Sequence, residues 1–159
     1  MKYALLLKPD KKGSLLITVL GIDPGGTTGV AIGTFTLNDR TSLKWLEAKE
    51  VKSPFFNQWL QKTIPTVDYV VCEDFLIKPH VKAWANTTQT SGTTDTPKLI
   101  GRVEFACFVY GKPFAAQPPS DKSFAYSLLG MTYIQGKKGQ HKFDAMAHAR
   151  LFMRKKFGL

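Results

Sequence analysis

Residues 15–23 (LLITVLGID) constrain the fold of this chain more than any other segment does. They form a run of Leu and β-branched residues that carries no charge before the final Asp23. Such a run is typical of a buried β-strand. Pro24, Gly25 and Gly26 follow at once and predict that the strand stops at a turn. We therefore expect a first strand that ends in an aspartate.

The other segments predict a mixed α/β domain whose first three strands form an antiparallel meander. Residues 29–36 and 43–51 supply the second and third strands, and residues 68–75 (DYVVCEDF) have the apolar run and polar end of a central fourth strand. A helix with Ser53 as N-cap is predicted to end at Pro65, and an exposed loop is predicted over 78–96. A second helix should run from Pro97 to Gly111 with Phe108 on its apolar face, followed by a short strand over 113–117. The last two elements are a helix over 120–129 with Phe124 inward and a helix over 141–156.

The composition is that of an ordinary globular protein. Hydrophobic residues at 43%, charged residues at 21% and a mean hydropathy of -0.13 exclude a disordered chain, a collagen and a coiled coil. A length of 159 residues predicts one domain. The longest apolar stretches, 4–7 and 15–22, are far shorter than the roughly 20 residues of a membrane span. Cys72 and Cys107 lie in apolar runs, which favours buried free thiols in a reducing compartment, so we expect a soluble intracellular protein without a membrane partner.

The charge of the chain is strongly positive and unevenly placed. Lys and Arg number 22 against 12 acidic residues, which gives a net charge of +10. Residues 137–159 carry seven basic residues and one acid and hold most of that excess. A concentrated positive charge favours a polyanionic partner, with nucleic acid as the first candidate. A soluble protein that is basic without such a partner is the alternative that composition leaves open.

Three acids lie at the ends of predicted elements. Asp23 ends the first strand, Glu73 ends the fourth, and Asp144 lies in the first turn of the last helix. Each has a simpler explanation alone, as a turn former, a solvated strand end or a residue that the helix dipole favours. Parallel neighbouring strands, however, would bring Asp23 and Glu73 together, and crowded carboxylates usually hold a divalent cation such as Mg²⁺. Two such ions about 3.5 to 4 Å apart could support phosphodiester cleavage.

Three segments resemble motifs of the RuvC-like Holliday junction resolvases, which belong to the RNase H-like nuclease superfamily. Residues 21–25 (GIDPG), with 28–32 (TGVAI) after them, closely resemble the first motif of the family. Residues 70–73 (VVCE) are similar to its second motif, and 141–147 (HKFDAMA) to its C-terminal motif. The resemblance implies an RNase H-like mixed five-stranded sheet flanked by helices, a homodimer, and symmetric nicking of four-way DNA junctions that depends on Mg²⁺, with Mn²⁺ as a substitute.

The resemblance also assigns roles to individual residues. It makes Asp23 the ligand shared by both metal ions, Glu73 the second carboxylate and Asp144 the acid of the last helix. His141 lies three residues before Asp144, where the family carries Asp or His, and would orient or deprotonate the attacking water or bind one metal ion. His148 shares that helical face, but a partly buried residue in contact with backbone or solvent is the simpler interpretation. Asp74 is a weaker alternative ligand, because it points away from Glu73 in a regular strand.

The predicted DNA contacts come from the resemblance and from charge. Lys122 resembles the family lysine that follows a proline-led turn and contacts the region of the scissile phosphate. Phe75 or Trp84 could stack on an unpaired base, although Leu76 holds the position of the family aromatic. The lysines expected to meet phosphates are Lys78, Lys82, Lys137, Lys138 and Lys142, and a solvated basic surface is the alternative for each of them.

Further interpretations remain open at the level of the sequence. Residues 1–14 form an N-terminal extension before the predicted nuclease domain of residues 15–159, and could be an edge strand, a basic arm or an unordered segment. Residues 23–28 (DPGGTT) also resemble a phosphate motif of actin-like and sugar-kinase ATPases, but those need two such domains, so we expect no nucleotide cofactor. A nuclease for flaps, forks or hybrids is a competing hypothesis, and so is a junction-binding scaffold without activity. We expect a resolvase of branched DNA in the cytoplasm of a bacterium or a phage-infected cell, and the small size together with the N-terminal extension favours a phage.

Overall fold

The strands form one mixed sheet whose central strand carries Asp23 at its end. A computed structural model describes residues 15–37, 39–74, 91–134, 136 and 138–159. Within them the strand order is β3-β2-β1-β4-β5; β1 pairs with β2 and β2 with β3 antiparallel, while β1 pairs with β4 and β4 with β5 parallel. The strands are β1 (Leu16–Asp23), β2 (Thr27–Thr36), β3 (Asp39–Lys52), β4 (Tyr69–Glu73) and β5 (Phe114–Gln117). The predicted mixed five-stranded sheet, with three antiparallel strands first, is confirmed.

Four helices flank this sheet in the described part of the chain. They are α1 (Ser53–Thr63), α2 (Ser91–Val109), α3 (Lys122–Ser127) and α4 (His141–Phe157), and short 3₁₀ turns precede α3 and follow α1. Ser53 is the first residue of α1 and not its cap, because its hydroxyl instead donates a hydrogen bond to the Gly26 carbonyl oxygen at 3.0 Å. None of these helices combines the length and the apolar character that crossing a membrane requires.

The predicted loop over 78–96 is wrong at its end, because α2 already begins at Ser91. In its first turns, Asp95 and Pro97 are exposed and Thr96 is half-buried, and residues 91–97 (SGTTDTP) show no apolar period from which a helix could be predicted. Pro97 lies inside the helix and removes one backbone hydrogen bond without ending it. Residues 75–90 lie outside the described residues, and with them the greater part of the predicted loop.

Strand alternation divides the core into two layers. On one face, Leu20 and Ile22 of β1 pack with Val70 and Cys72 of β4 against α1 and α2. On the other face, neighbouring residues such as Val19 pack against α4. Burying each such Val, Leu or Ile contributes about 1.5–3 kcal/mol. Cys72 and Cys107 are free thiols and both are buried, as predicted.

Two predicted core aromatics lie at the surface. Cys107 of α2 is buried in one stripe with Leu99 and Val103, but Phe108 falls outside that stripe and is 80% exposed. Phe124 of α3 is 57% exposed, because the neighbouring Tyr126 and Ala125 face α4 instead.

Helix α4 lies very close to the sheet at two glycines. A Cβ atom at Gly29 of β2 would collide with the carbonyl oxygen of His141, and one at Gly21 of β1 would collide with the carbonyl oxygen of Ala145. Any side chain at these positions would therefore hold the helix away from the strands. The two glycines let the first turns of α4 reach the ends of β1 and β2, where Asp23 lies.

Candidate metal centre

Three carboxylates converge where β1, β4 and α4 meet, and we call this group of Asp23, Glu73 and Asp144 the acidic centre. The parallel pairing of Ile22 with Cys72 makes Asp23 and Glu73 neighbours, and alternation points both toward α4. Asp144 joins them from the first turn of α4. Asp23 and Asp144 are only 4% and 5% exposed, so these charges are held largely away from water. The three acids therefore converge in the structure, as the order of the elements predicted.

The ammonium group of Lys122 lies between the three carboxylates. Its Nζ is 2.7 Å from Glu73 Oε2, 3.0 Å from Asp144 Oδ2 and 3.3 Å from Asp23 Oδ1. Burial alone would lower the pKa of Lys122, but Asp23, Glu73 and Asp144 outweigh it and raise the pKa above its ordinary value. The lysine is therefore a permanent positive charge inside the acidic centre. Its similarity to a DNA-contacting lysine did not predict these contacts with the three carboxylates.

His141 approaches the acidic centre from the solvent side. Its Nδ1 lies 2.6 Å from Asp23 Oδ2, while 46% of its side chain remains exposed. The ring borders a cleft of about 460 Å³ that opens beside Asp144. The other residues that line this cleft are Thr27, Glu50, Tyr133, Gly136, Lys138, Gly139 and Gln140. The imidazole thus contacts both a buried carboxylate and a space that a substrate can enter.

His148 belongs to the site, although the sequence favoured a structural role for it on the same helical face as Asp144. The interpretation as a partly buried residue in contact with backbone or solvent is wrong, because the side chain is fully buried and contacts two side chains. Its Nε2 lies 2.9 Å from Glu73 Oε2 and its Nδ1 lies 3.1 Å from Gln117 Oε1. The spacing of four residues from Asp144 was the signal that could have identified it.

Asp144 has two further partners that the sequence did not single out. The Tyr126 hydroxyl donates a hydrogen bond to Asp144 Oδ1 at 2.5 Å, and Gln140 Nε2 lies 3.4 Å from the same oxygen. Burial, followed by the hydrogen bond to Asp144, raises the pKa of Tyr126, so the hydroxyl remains a donor. Tyr126 lies four residues after Lys122 on α3, and this spacing brings both side chains to the acidic centre.

The two strand-end carboxylates differ in their affinity for a proton. Burial and a hydrogen bond shared with Glu73 raise the pKa of Asp23 to about 7, although Lys122 opposes this shift. For Glu73, burial is outweighed by hydrogen bonds from His148, Asp23 and Lys122, and the pKa falls below its ordinary value. Without a cation, the pair therefore holds a proton on Asp23 at mildly acid pH.

The side chains present fit a divalent cation. The described residues contain two sets of potential ligand atoms, and within each set all the atoms lie within 4.8 Å of one another. One set consists of Asp23, Glu73 and His148, and the other of Asp23, His141 and Asp144. Asp23 is common to both sets, and Asp74 belongs to neither of these two sets of described residues. Carboxylate oxygens with some imidazole suit Mg²⁺ or Mn²⁺. The enclosed ammonium of Lys122 shows that these carboxylates already surround a cation.

The predicted DNA contacts can be followed only in part. Lys138 is exposed and borders the cleft. Lys142 is half-buried and its Nζ lies 5.1 Å from the centroid of the Phe143 ring. The remaining predicted contacts, Phe75, Lys78, Lys82 and Lys137, and the alternative Trp84, lie outside the described residues.

Solved structures of two resolvases have a similar fold. RuvC of Thermus thermophilus, in complex with a Holliday junction substrate, matches with a TM-score of 0.57 and 18% identity over 87% of this chain and 95% of that one. The fowlpox virus Holliday junction resolvase matches with a TM-score of 0.55 and 12% identity over 87% of this chain and 99% of that one. No protein-family model and no curated protein matches the sequence. At these identities the likeness shows the fold alone: the chain shares the fold of these two resolvase structures, built on a five-stranded mixed sheet, as the resemblance of its motifs implied.

Proposed function

We propose that this protein is a divalent-metal-dependent endonuclease that resolves four-way DNA junctions by symmetric phosphodiester cleavage. The observation that carries the proposal is the acidic centre, in which three carboxylates and two histidines meet on the fold of known resolvases. A protein that only bound DNA would gain nothing from clustered acids that face phosphates. The chemistry of the site, and not the fold alone, therefore favours a nuclease.

The ligand roles follow from the two sets of atoms that share Asp23. Asp23 and Glu73 with His148 beside them would hold one cation, and Asp23, His141 and Asp144 would hold the other. Bound there, the two ions would supply an activated water and stabilise the leaving 3′ oxygen. Mg²⁺ is the ion that we propose, with Mn²⁺ as a substitute, because oxygen ligands dominate both sets.

His141 has the position of a proton acceptor in this proposal. When Asp23 is ionised, as it would be with a cation bound, the Nδ1–H of His141 donates to Asp23 Oδ2 and Nε2 is left as an acceptor. Because nearly half of the side chain is exposed, Nε2 can meet a water in the cleft. His141 would orient or deprotonate that water, or bind a cation directly.

Lys122 has two roles in the proposal. In the cation-free protein its ammonium offsets part of the negative charge of the acidic centre. With that charge balanced by bound cations, the Lys122 side chain would be free to contact the scissile phosphate, as the resemblance to the family lysine implies. Lys138 and Lys142 would add phosphate contacts that do not depend on sequence, together with the predicted Lys78, Lys82 and Lys137.

The proposed active form is a homodimer. Two nicks at symmetric positions of a four-way junction require two active sites related by a two-fold axis. One chain carries one acidic centre in its described residues. A second copy is the simplest source of the other.

Cleavage of defined DNA substrates tests the proposal. The purified protein would be incubated with a labelled four-way junction, a flap, a fork and linear duplex, in Mg²⁺, Mn²⁺ or EDTA. Asp23→Asn removes the shared carboxylate, and Asp121→Asn is the matched control, since Asp121 contacts only the surface residue Lys155 among the ion pairs of the described residues.

The proposal predicts paired nicks in the junction that need a divalent ion and that Asp121→Asn retains. Asp23→Asn should bind the junction without cutting it. Equal cutting of flaps and forks would retain the nuclease and broaden its substrate. Tight binding of the junction without any cutting, in either ion, would refute the enzyme and favour the scaffold.

A further inference from the structure

His148 is a polar side chain that lies among fully buried apolar residues of α4. The side chain is 0% exposed, as are its neighbours Ala147, Ala149 and Leu151. Burying a polar ring in such a place is unfavourable unless its nitrogens find partners, and a leucine would pack there without that cost. The reason for a histidine at this position must therefore lie in what its two nitrogens contact.

Both nitrogens contact side chains at the ends of parallel strands. Nε2 lies 2.9 Å from Glu73 Oε2 at the end of β4, and Nδ1 lies 3.1 Å from Gln117 Oε1 at the end of β5. Glu73 and Gln117 are direct register partners, so the ring joins two neighbouring strand ends to α4. Oε2 of Glu73 is also the atom that lies 2.7 Å from Lys122 Nζ. His148 thus contacts the oxygen that faces the cation of the acidic centre.

We propose that His148 is a positioning residue that fixes the Glu73 carboxylate for cation binding, with Gln117 holding the ring from behind. The inference rests on the proposed function, because it concerns the cation-binding role of Glu73. A glutamate side chain has several rotatable bonds, and a donor buried on one side restricts its oxygens to one orientation. Outer partners of this kind typically change the affinity of a metal site by about 10–100-fold.

Direct binding of a cation by His148 is the competing role, because Nε2 belongs to one of the two ligand sets. The geometry favours the positioning role for two reasons. Nε2 is already engaged by Glu73 at hydrogen-bonding distance, and the ring has no exposed surface, whereas 46% of the His141 side chain is exposed. A ligand role would need Nε2 to leave Glu73.

Two substitutions at His148 separate the roles. His148→Leu removes both hydrogen bonds at similar volume. In His148→Gln, the amide nitrogen takes about the place of Nε2 and can still donate to Glu73. Met153→Leu, a buried change farther along α4, controls for packing. Mn²⁺ affinity is measured from the electron paramagnetic resonance signal of the free ion, nitrogen coupling to bound Mn²⁺ from electron spin echo modulation, and folding from thermal melts in EDTA.

We expect His148→Leu to lower Mn²⁺ affinity by about 10–100-fold, while His148→Gln and Met153→Leu stay within about threefold of the wild type. The nitrogen coupling should be the same in wild type and His148→Gln. Unchanged affinity in His148→Leu would overturn the proposal, since His148 would then be only a packing residue. An equal loss of Mn²⁺ affinity in His148→Leu and His148→Gln, together with loss of a nitrogen coupling, would overturn the positioning role in favour of direct binding of the ion by His148.

Gln117→Met gives a second test that does not require His148→Leu to fold. It removes the support of the ring, so Mn²⁺ affinity should fall by at least about threefold, and the change should add nothing in a His148→Leu background. Wild-type affinity in Gln117→Met would overturn the proposal. These measurements need no DNA, so a wild type that binds Mn²⁺ but cuts no junction would refute the proposed function and still decide the role of His148.

Discussion

The Nζ atom of Lys122 lies 2.7 Å from Oε2 of Glu73, at the point where a cation would neutralise the acidic centre. Only 15% of each side chain is exposed, so water screens this pair weakly. The ammonium of Lys122 therefore competes with a divalent ion: it stabilises the acidic centre when no ion is bound and opposes binding of the ion.

Lys122→Met should destabilise the protein in EDTA by about 3 kcal/mol, because it leaves buried carboxylates without a counter-charge. Saturating Mn²⁺ should then raise the melting temperature of this variant more than that of the wild type, since the ion no longer displaces an ammonium. Lys155→Met removes a surface partner of Asp121 and should change stability by less than about 1 kcal/mol. Thermal melts with and without Mn²⁺ measure all three proteins, and equal Mn²⁺ effects in Lys122→Met and wild type would contradict the competition.

Mn²⁺ binding should become tighter as the pH rises toward 7. The pKa of Asp23 is raised from 3.8 to about 7, so below pH 7 the cation must displace a proton from this carboxyl. Affinity should rise by about tenfold per pH unit up to pH 7 and then level off. Titration calorimetry in two buffers of different ionisation enthalpy should show one proton released at pH 6, and a pH-independent affinity would contradict the shared role of Asp23.

The same raised pKa predicts that the free energy of unfolding of the cation-free protein falls as the pH rises from about 4 to about 7. In that window folded Asp23 keeps a proton that the unfolded chain, with its ordinary pKa of 3.8, has already released. Each unit by which the pH rises in this window thus favours the unfolded chain over the folded one. Denaturant unfolding in EDTA at pH 5 and pH 7 measures the effect, and Asp23→Asn should show a smaller difference between the two.

Gly29→Ala should weaken both the fold and the proposed cleavage. The added Cβ would collide with the carbonyl oxygen of His141, so α4 must move away from β2 and carry His141 and Asp144 with it. We expect a loss of about 1–3 kcal/mol in the free energy of unfolding and at least a tenfold loss in Mn²⁺ affinity. Gly101→Ala is the control, because nothing lies within 4 Å of a Cβ there and an exposed helical position should gain up to about 1 kcal/mol. Matching melting curves for Gly29→Ala and wild type would refute the close packing.

Tyr126→Phe should loosen Asp144 without unfolding the protein. The substitution removes the hydroxyl that donates to Asp144 Oδ1 at 2.5 Å and costs about 1.5–3 kcal/mol of stability, as for hydrogen bonds to charged groups. Mn²⁺ affinity should fall by about tenfold through the loss of an outer partner. Tyr110→Phe, at an exposed position directly after α2, should change neither quantity. A wild-type Mn²⁺ affinity in Tyr126→Phe would show that Asp144 does not need this partner.

The sequence predicted the framework of the site well because the framework follows from local patterns. The apolar run before Asp23 and the one before Glu73 predict strands, and the parallel pairing of β1 with β4 then places both acids at one edge. The last helix was also found from its period, and with it the common face of His141 and Asp144.

The partners of these acids could not be derived in the same way. Lys122, Tyr126 and Gln117 reach the acidic centre only through tertiary packing, and a lone lysine or glutamine at the end of an element has many simpler roles. His148 differs, because its spacing of four residues from Asp144 on α4 is a local signal. Even the close contact of Gly29 with His141 joins residues far apart in the chain. Contacts of that kind leave no period in the sequence.

The hydrogen bond between His141 and Asp23 joins positions 118 residues apart. A chain must therefore fold its last helix onto its first strand before the two side chains meet, and such distant contacts form slowly compared with local ones. A partly folded or incompletely synthesised molecule has Asp23 but lacks its partners from α4. We expect any nuclease activity to be confined to the finished fold, so that immature chains cannot nick the DNA around them.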